Sequence, residues 1–396
     1  MSITLILGPV LAGKTSHLIR GARRVMLARR KPLLLAHPCE VDEEYSITSH
    51  SNMQISAFPT KSLFDTLDIA RTCDWIGIDN GHFFEDIAQF AVLLAEEGKD
   101  VVVSALNADF NQQIFPHIIE LIPHCDDVQL LKTICCDCKS DAFCSQRNSS
   151  VLPNDDVLLP GTGDQHSPIC YKCANKDTEV IGELTMVVGP MFAGKSTSLI
   201  DYMTDCDLRR LKHVTIKYDS DCRYFDNFHI GTHDADITLE AIPVSTLGTA
   251  HEYIVKNGIQ AIGVDEGQFF PDVVEYVTTW LKMGIDIIVV GLDGTFNKDV
   301  FGTMLNLIPL CVSFTKINSI CHMCHDSAPF SRRLCESDEL IIIGGADKYC
   351  ACCRSCYSKT LDQKQLDDLV ERLSSPLVFK TPSPMDYREF SPVPVS

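Results

Sequence analysis

Gly189-Pro-Met-Phe-Ala-Gly-Lys-Ser196 is the stretch that decides the fold. It follows the apolar run Thr185–Val188 and precedes a helical pattern from Ser196 to Asp207. Between a strand and a helix, this Gly-x-x-x-x-Gly-Lys-Ser pattern surrounds phosphates with backbone N–H groups and the positive helix end. Lys195 would reach the outer phosphates and Ser196 a magnesium ion. The stretch therefore predicts a phosphate-binding loop in an α/β protein.

The same motif occurs earlier in the chain, as Gly8-Pro-Val-Leu-Ala-Gly-Lys-Thr15. Further motifs recur in the same order: Asp79–Phe84 matches Asp265–Phe270, and Leu121–Pro123 matches Leu307–Pro309. Ordered recurrence over whole domains indicates a tandem duplication. We expect one domain in residues 1–178 and a second in residues 179–359. In residues 360–396 we expect a helix over Leu361–Leu373, followed by a disordered tail rich in Pro and Ser.

The fold class follows from strands that alternate with helices. Short β-branched runs such as Ala261–Val264 and Ile285–Val290 have the composition of buried strands. Alternation of this kind predicts a parallel sheet flanked by helices. We therefore expect two α/β domains of the P-loop class, each with a central parallel sheet.

Two carboxylates follow one of these strands. Asp265 ends the run Ala261–Val264, where P-loop proteins hold magnesium, and Glu266 comes next. A carboxylate beside the metal-binding Asp can accept the proton of an attacking hydroxyl, which is the work of a general base. The alternative is that both residues form a solvated strand end. The matching position in the first half is Asn80, which cannot take up a proton at neutral pH.

Cysteines form the other strong signal. Two Cys-x-x-Cys pairs about thirty residues apart give four thiolates with the spacing of a zinc ribbon, which leaves zinc no open position and predicts a structural role. The alternative is free buried thiols, which we expect for Cys335, Cys350 and Cys352. The expected zinc ligands are Cys135, Cys138, Cys170 and Cys173 in the first half, and Cys321, Cys324, Cys353 and Cys356 in the second.

Charge and hydropathy exclude several partners. The 396 residues include 34 basic and 53 acidic side chains, a net charge of −19, which disfavours binding to nucleic acids or anionic membranes. No apolar run approaches the roughly 18 residues that a membrane helix needs, and no basic segment precedes the apolar N-terminus. We therefore expect a cytoplasmic protein.

The second half resembles the type II, or cellular-type, thymidine kinases over about residues 183–358. The resemblance rests on the phosphate loop and on a series of later motifs in the same order. These are Asp221-Cys-Arg-Tyr224, Thr232-His-Asp234, Asp265-Glu-Gly-Gln-Phe-Phe270, Leu292-Asp-Gly-Thr-Phe296, Phe301-Gly302 and Gly344-Gly-Ala-Asp-Lys-Tyr349. It implies a RecA-like P-loop domain joined to a zinc-bearing lobe, here residues 321–356, whose long loop closes over the nucleoside as a lasso.

The resemblance also implies roles for individual residues. Glu266 would activate the 5′-hydroxyl of the nucleoside, Asp265 and Ser196 would hold magnesium, and Arg223 would neutralise phosphate charge together with Lys195. ATP would lie on the phosphate loop, formed by Gly189, Pro190, Met191, Phe192, Ala193, Gly194, Lys195, Ser196 and Thr197. The nucleoside would contact Met191, Asp221, Phe269, Leu292, Phe296, Phe301, Ser331, Leu340, Ile341, Ile342, Gly344 and Tyr349. Ser331 stands where the family commonly has Thr near the thymine methyl group, so deoxyuridine is a second expected substrate. For the apolar members, ordinary core packing is the alternative.

The first half departs from the family at positions that the chemistry needs. Glu44 replaces the phosphate-facing arginine, Asn80 replaces the base, and Asn107-Ala108 replaces Asp-Gly. The lasso signature has become Pro160-Gly-Thr-Gly-Asp-Gln-His166. We expect a degenerate kinase domain that packs against the active one.

The resemblance further implies inhibition by thymidine triphosphate and a homodimer that reproduces the family's four-domain assembly. Two other classes compete with the kinase. One is a catalytically silent regulatory scaffold that binds nucleotide and zinc. The other is a zinc-ribbon ATPase acting on DNA, which the acidic balance disfavours.

Overall fold

The computed structural model describes residues 1–148, 166–175, 181–219, 229–231, 238–335, 339, 342, 344–360 and 362–374. Several sequence predictions lie outside the described residues. These are the domain boundary at 178/179, the motifs Asp221–Tyr224 (with Asp221 and Arg223) and Thr232–Asp234, Leu340, Ile341, most of the 160–166 segment and the tail beyond residue 374. We refer to residues 1–175 as the N-terminal half and to the residues from 181 onwards as the C-terminal half.

The N-terminal half begins with a strand and alternates strands with helices. Its helices are α1 (Lys14–Leu27), α2 (Leu67–Arg71), α3 (Ile87–Glu96), α4 (Pro116–Leu121) and α5 (Tyr171–Ala174). Its strands are β1 (Ser2–Gly8), β2 (Pro32–Ala36), β3 (Ser46–Thr48), β4 (Gln54–Ser56), β5 (Phe58–Pro59), β6 (Trp75–Ile78), β7 (Asp100–Leu106), β8 (Asp127–Leu130), β9 (Thr133–Ile134), β10 (Asp141–Ala142), β11 (Cys144–Arg147) and β12 (His166–Ile169).

The C-terminal half repeats this order of elements, except that a 3-10 helix (Met304–Leu310) stands in place of α4 and one helix is added at the end. Its helices are α6 (Lys195–Leu208), α7 (Gly248–Asn257), α8 (Val273–Lys282), α9 (Arg354–Tyr357) and α10 (Gln363–Ser374). Its strands are β13 (Leu184–Val188), β14 (His213–Tyr218), β15 (His229–Gly231), β16 (Thr238–Glu240), β17 (Ile242–Val244), β18 (Ala261–Val264), β19 (Asp286–Gly291), β20 (Cys311–Lys316), β21 (Ser319–Ile320), β22 (Ser327–Ala328), β23 (Phe330–Arg333) and β24 (Tyr349–Cys352).

The two halves share one central sheet of twelve strands, in the order β17-β14-β18-β19-β13-β20-β8-β1-β7-β6-β2-β5. In this sheet, every pairing between strands of the same half is parallel, as predicted. The one antiparallel pairing joins the halves, where Thr315 of β20 lies opposite Gln129 of β8. The expectation of two separate central sheets is therefore corrected to one continuous sheet. The reason is that β8 and β20 each form the edge of their half's part of the sheet, and pairing satisfies backbone groups that an open edge would expose.

Helices cover both faces of the sheet. On one face, α1 buries Leu18 and Ile19 against Trp75 and its neighbours, and α6 buries Leu199 against β19. On the other face, α3, α4 and α8 pack into a core cluster that runs through both halves and includes Phe90 and Trp280. The sequence predicted α6 and β18 to within one residue, because their apolar spacing is unbroken.

Small antiparallel hairpins form a lobe in each half, which we call the first and the second lobe in chain order. In the N-terminal half β9 pairs with β10 and β11 with β12, and in the C-terminal half β21 pairs with β22 and β23 with β24. Helix α10 packs Leu369 against Leu334 and Cys350 of the second lobe. Among the described residues, no helix has the length and apolar character needed to cross a membrane.

Candidate active site

The phosphate loop of the C-terminal half lies between β13 and α6, as predicted. A Cβ at Gly189 would lie 2.1 Å from the carbonyl oxygen of Ile317, so a side chain at 189 does not fit. Gly194, just before the helix, has φ +86°, in the left-handed region that glycine adopts without strain. The loop therefore turns sharply enough to aim the N-terminus of α6 at a bound anion.

Lys195 begins this helix and is buried. Its Nζ donates a hydrogen bond to the carbonyl oxygen of Pro190, 2.7 Å away, so the ammonium group folds back over the loop. Ser196 is half-buried beside it, and Thr197 is exposed. Lys195 and Ser196 thus lie where the phosphate loop meets the start of α6.

Asp265 and Glu266 follow β18, separated in the sheet from the loop strand β13 by β19 alone. Both carboxylates are buried, so they do not form the solvated strand end of the alternative reading. Glu266 has φ +52°, an uncommon backbone conformation for a residue with a side chain. Strain of this kind clusters at functional sites.

Gln268 fixes the side chain of Glu266. Its Nε2 donates to Oε2 of Glu266 at 2.5 Å, and its Oε1 accepts the N–H of Leu292 at 3.0 Å. The amide therefore ties the carboxylate to the end of β19, where the Leu292–Phe296 turn begins. Sequence reasoning gave Gln268 no role, although it lies inside the quoted Asp265–Phe270 motif.

Aromatic rings form a wall next to this carboxylate. Phe269 stacks on Tyr218 with ring centroids 5.2 Å apart, and Phe301 meets Phe269 edge-on at 5.4 Å. Phe269 and Phe301 are only half-buried, unlike the fully buried Phe270 beside them. Half-buried aromatic rings are typical of the lining of a pocket, whereas rings in the core are fully buried.

The second lobe closes another side of the site. Ser331 Oγ accepts the N–H of Met191 at 2.9 Å, which joins the lobe to the phosphate loop. The guanidinium of Arg333 lies 3.6 Å from the ring centroid of Phe296 and donates to the hydroxyl of Tyr349 at 3.0 Å. Sequence reasoning also missed Arg333, because no spacing distinguishes it from a surface arginine.

Tyr349 bridges the lobe to the loop that the resemblance implies as a lasso. Its hydroxyl donates to the carbonyl oxygen of Ile342 at 3.1 Å, and Gly344 lies against Lys348. The residues that the resemblance implies as nucleoside contacts, where the structure describes them, lie on the phosphate loop, at the edge of the sheet and on the second lobe. They are Met191, Phe269, Leu292, Phe296, Phe301, Ser331, Ile342, Gly344 and Tyr349.

The first phosphate loop has the same backbone but different partners. Lys14 Nζ donates to Pro9 O at 2.7 Å, as its counterpart does, and burial lowers the pKa of Lys14 to about 8. Thr15 Oγ1 donates to Asp79 at 3.1 Å, so the loop and the strand end after β6 are in direct contact. Ser104 also donates to Asp79, at 2.6 Å, while burial raises the pKa of Asp79.

Asn80 repeats the backbone of Glu266, with φ +51°, but not its chemistry. Its Nδ2 donates to Oε2 of Glu40 at 3.1 Å. Burial and the nearby Asp79 raise the pKa of Glu40, and Lys14 acts in the opposite direction. The carboxylate that faces this loop is therefore Glu40, whereas Glu44, which sequence reasoning singled out, is exposed.

The eight predicted zinc ligands form two groups of four. Within each group all Sγ atoms lie within 4.8 Å of one another. Cys138 and Cys170 have their sulfurs 3.6 Å apart, and Cys324 and Cys353 have theirs 3.5 Å apart. A tetrahedral zinc site with Zn–S bonds of about 2.3 Å places its sulfurs about 3.8 Å apart, so both groups fit the ion. Cys350 and Cys352 lie outside both groups and are buried.

Comparison with known proteins agrees with this arrangement. The family model described as thymidine kinase matches residues 1–174 and again 182–357. The chain is 42% identical to the cytosolic thymidine kinase of Homo sapiens over 178 residues, which is 45% of this chain and 74% of that protein. It is 40% identical to the cytosolic thymidine kinase of Gallus gallus over 46% of this chain and 80% of that protein. It is 43% identical to the thymidine kinase of Vaccinia virus (strain Ankara) over 44% of this chain and 97% of that protein. Because the family model covers most of both halves and the relatives are matched over most of their length, this chain is an enzyme of the thymidine kinase family.

Proposed function

We propose that the C-terminal half transfers the γ-phosphate of ATP to the 5′-hydroxyl of thymidine, giving thymidylate in pyrimidine salvage in the cytoplasm. The observation that carries this proposal is the buried Glu266, held by Gln268 at the edge of the sheet that also carries the phosphate loop. A fixed carboxylate at that position can accept the hydroxyl proton as the oxygen attacks phosphorus.

The phosphate side of the reaction rests on the loop. Lys195 and the backbone N–H groups at the start of α6 would hold the β- and γ-phosphates of ATP. Ser196 and Asp265 would hold magnesium, which neutralises developing charge on the phosphates. Support comes from the N-terminal half, where the corresponding Thr15 and Asp79 are hydrogen-bonded and thus close enough to share an ion. The proposed role of Arg223 rests on the resemblance alone.

The nucleoside side combines an apolar wall with main-chain polar groups. Phe269 and Phe301 present ring surface suited to a flat pyrimidine, and the loop held by Tyr349 would supply backbone hydrogen bonds to the base. Ser331 is smaller than the family's usual threonine, and its hydroxyl is engaged by Met191. We therefore propose thymidine and deoxyuridine as substrates.

The N-terminal half, in this proposal, is a degenerate copy that arose by tandem duplication. Identical strand order in the two halves supports the duplication. Asn80 offers no base, and Glu40 places negative charge beside Lys14, where a triphosphate would otherwise be. Catalysis is therefore confined to the C-terminal half.

Three further properties complete the proposal. Each four-cysteine group would bind one structural zinc, which would fold the hairpins of its lobe. Thymidine triphosphate would inhibit the enzyme by filling the nucleoside and phosphate positions together. Two chains would associate as a homodimer with four kinase-like halves.

The decisive experiment is ATP-dependent phosphorylation of thymidine, deoxyuridine and deoxycytidine by the full chain and by Glu266→Gln. Loss of a general base lowers kcat by about 10²- to 10⁴-fold, and we expect a loss of that size. The matched control is Glu275→Gln, which alters an exposed glutamate on α8 and should keep the parent rate. A full rate for Glu266→Gln would overturn the assignment of the base. A parent chain that phosphorylates no nucleoside would favour the regulatory scaffold instead.

A further inference from the structure

A short stretch of the N-terminal half, Ile122–Asp126, contacts the nucleoside side of the C-terminal site, and we call it the docking segment. It follows α4 and leads into β8, the strand that pairs with β20 of the other half. Two parts of the proposed nucleoside site rest on it: the Leu292–Phe296 turn and helix α9 of the second lobe. Asn318, which follows β20, also donates to the carbonyl oxygen of Asp126 at 2.9 Å.

The first contact is made by a buried ion pair. Lys316 Nζ lies 2.6 Å from Oδ2 of Asp293 in the turn, and it donates to the carbonyl oxygen of Ile122 at 3.0 Å. The side chains of Lys316 and Asp293 are 0% and 5% exposed, so water does not replace either partner. The next residue, Gly294, packs so closely that a Cβ there would lie 2.7 Å from Cβ of Pro123. The turn is thus seated directly on the docking segment.

The second contact holds the lobe. Arg354, the first residue of α9, lies between the metal-site residues Cys353 and Cys356. Its Nη2 and Nε lie 2.6 and 3.2 Å from Oδ2 of Asp126, and Nη2 also donates to the carbonyl oxygen of His124. The Arg354 side chain is 6% exposed, and hydrogen bonds between ionised groups out of solvent are the strong ones.

Helix α9 then connects the two contacts. Tyr357, at its other end, donates its hydroxyl hydrogen bond to the carbonyl oxygen of Phe296 in the turn. Phe296 in turn lies under the guanidinium of Arg333, which also contacts Tyr349. A displacement of Arg354 would therefore move the turn and the lobe together.

The charged residues of these contacts have no charged counterparts at the matching positions of the other half. At the positions that match Lys316, Arg354 and Asp126 the other half has Leu130, Tyr171 and Val312, so the reverse ion pairs have no charged partners. At the position of Asp293 stands Asn107, whose Nδ2 donates to Phe143 O within its own half. The charged contacts across the junction are thus those of Asp126 and Lys316, whereas the first lobe makes a weak one in the other direction, from Cys144 Sγ to the carbonyl oxygen of Pro309, 3.9 Å away.

We propose that the docking segment is a positioning element for the nucleoside site of the C-terminal half, acting through Lys316 on the Leu292–Phe296 turn and through Asp126 and Arg354 on the second lobe. This inference rests on the proposed thymidine kinase activity. It gives the N-terminal half a role that its own phosphate loop does not explain, since none of these contacts involves Lys14 or Asn80.

The test is the kinetics of full-length Asp126→Asn with thymidine and ATP. The amide keeps an oxygen to accept the N–H of Ile3, which Asp126 accepts at 2.7 Å, but it removes the charge that holds Arg354. We expect KM for thymidine to rise about tenfold, the effect of losing a hydrogen bond between charged groups, with kcat and KM for ATP within about twofold. Arg354→Lys keeps the charge but loses the fork of donors, so KM for thymidine should rise about threefold.

Asp141→Asn is the matched control. It breaks an ion pair of the same half with Lys132, 2.5 Å in length, whose side chains are more than half exposed, and it should change no constant. An unchanged KM for thymidine in both Asp126→Asn and Arg354→Lys would overturn the proposal. So would a fall in kcat with KM unchanged, because that is the signature of a smaller folded fraction. The parent rate separately tests the proposed function, so the two failures are distinguishable.

Discussion

The substitution Gln268→His removes the amide group that orients Glu266. Histidine is the residue found at the matching position of the N-terminal half, His82. In the C-terminal half the glutamine amide makes two hydrogen bonds at once, donating to Glu266 and accepting from Leu292. In the N-terminal half the side chain of His82 makes the counterpart of the bond to Leu292 only, because its Nδ1 accepts the N–H of Leu106 at 3.3 Å. Gln268→His should therefore keep the anchor to the strand end and lose the contact with the carboxylate.

The size of the effect follows from the bond that is lost. A hydrogen bond to a charged group contributes about 1.5–3 kcal/mol, and the bond between Gln268 and Glu266 is short, at 2.5 Å, and buried. If that free energy acts on the transition state, kcat falls roughly 10- to 150-fold. KM for ATP should stay near the parent value, because the phosphate loop is untouched.

The assay is steady-state transfer of radioactive phosphate from ATP to thymidine, with the unfolding temperature measured on the same sample. The reverse exchange, His82→Gln, makes a change of equal size in the other half and should leave kcat unaltered. A kcat within about twofold of the parent for Gln268→His would refute the positioning role of Gln268. An equal loss in His82→Gln would refute the division of labour between the halves.

Three further predictions concern stability and metal. Burial lowers the pKa of His82 from 6.5 to about 3, so the unfolded chain takes up a proton between those values and stability is lost as pH falls below about 6.5. His82→Gln should reduce the loss between pH 7 and pH 5 by about 2 kcal/mol in urea unfolding, and an unchanged pH profile would contradict this. Lys316→Met leaves Asp293 buried without its ion-pair partner and should cost about 3–5 kcal/mol, most of it recovered in a double variant with Asp293→Leu. A single variant as stable as the parent would be inconsistent with the buried pair. Cys135→Ser and Cys321→Ser should each lower the zinc content from two ions per chain to one, and only Cys321→Ser should abolish activity. Two zinc ions in either variant, measured by mass spectrometry, would rule out that site.

The elements that sequence reasoning identified are those whose signal is contiguous. The phosphate loop, β18 and α6 each lie within one short stretch, where glycine positions and apolar spacing determine local structure. The zinc-ligand groups were predicted for a related reason. Each is made of two Cys-x-x-Cys pairs, and the short spacing within a pair already limits where the sulfurs can lie.

The parts that were missed depend on contacts between distant residues. Nothing in β8 or β20 shows that Gln129 and Thr315 pair across the halves, because both strands read as ordinary sheet members. Glu40 and Glu44 are equally acidic, and only the fold shows that Glu40 is the one hydrogen-bonded to Asn80. The docking of Arg354 on Asp126 spans 228 residues, beyond any local pattern.

The most direct test of the account compares the two phosphate-loop lysines in the full chain. Lys195 and Lys14 are both buried and both donate to a proline carbonyl oxygen at 2.7 Å, so Lys195→Met and Lys14→Met disturb the fold alike. The account predicts that Lys195→Met loses thymidine phosphorylation by at least about 10²-fold while Lys14→Met keeps it within about threefold. Equal losses in the two variants, or the larger loss in Lys14→Met, would contradict catalysis by the C-terminal half alone.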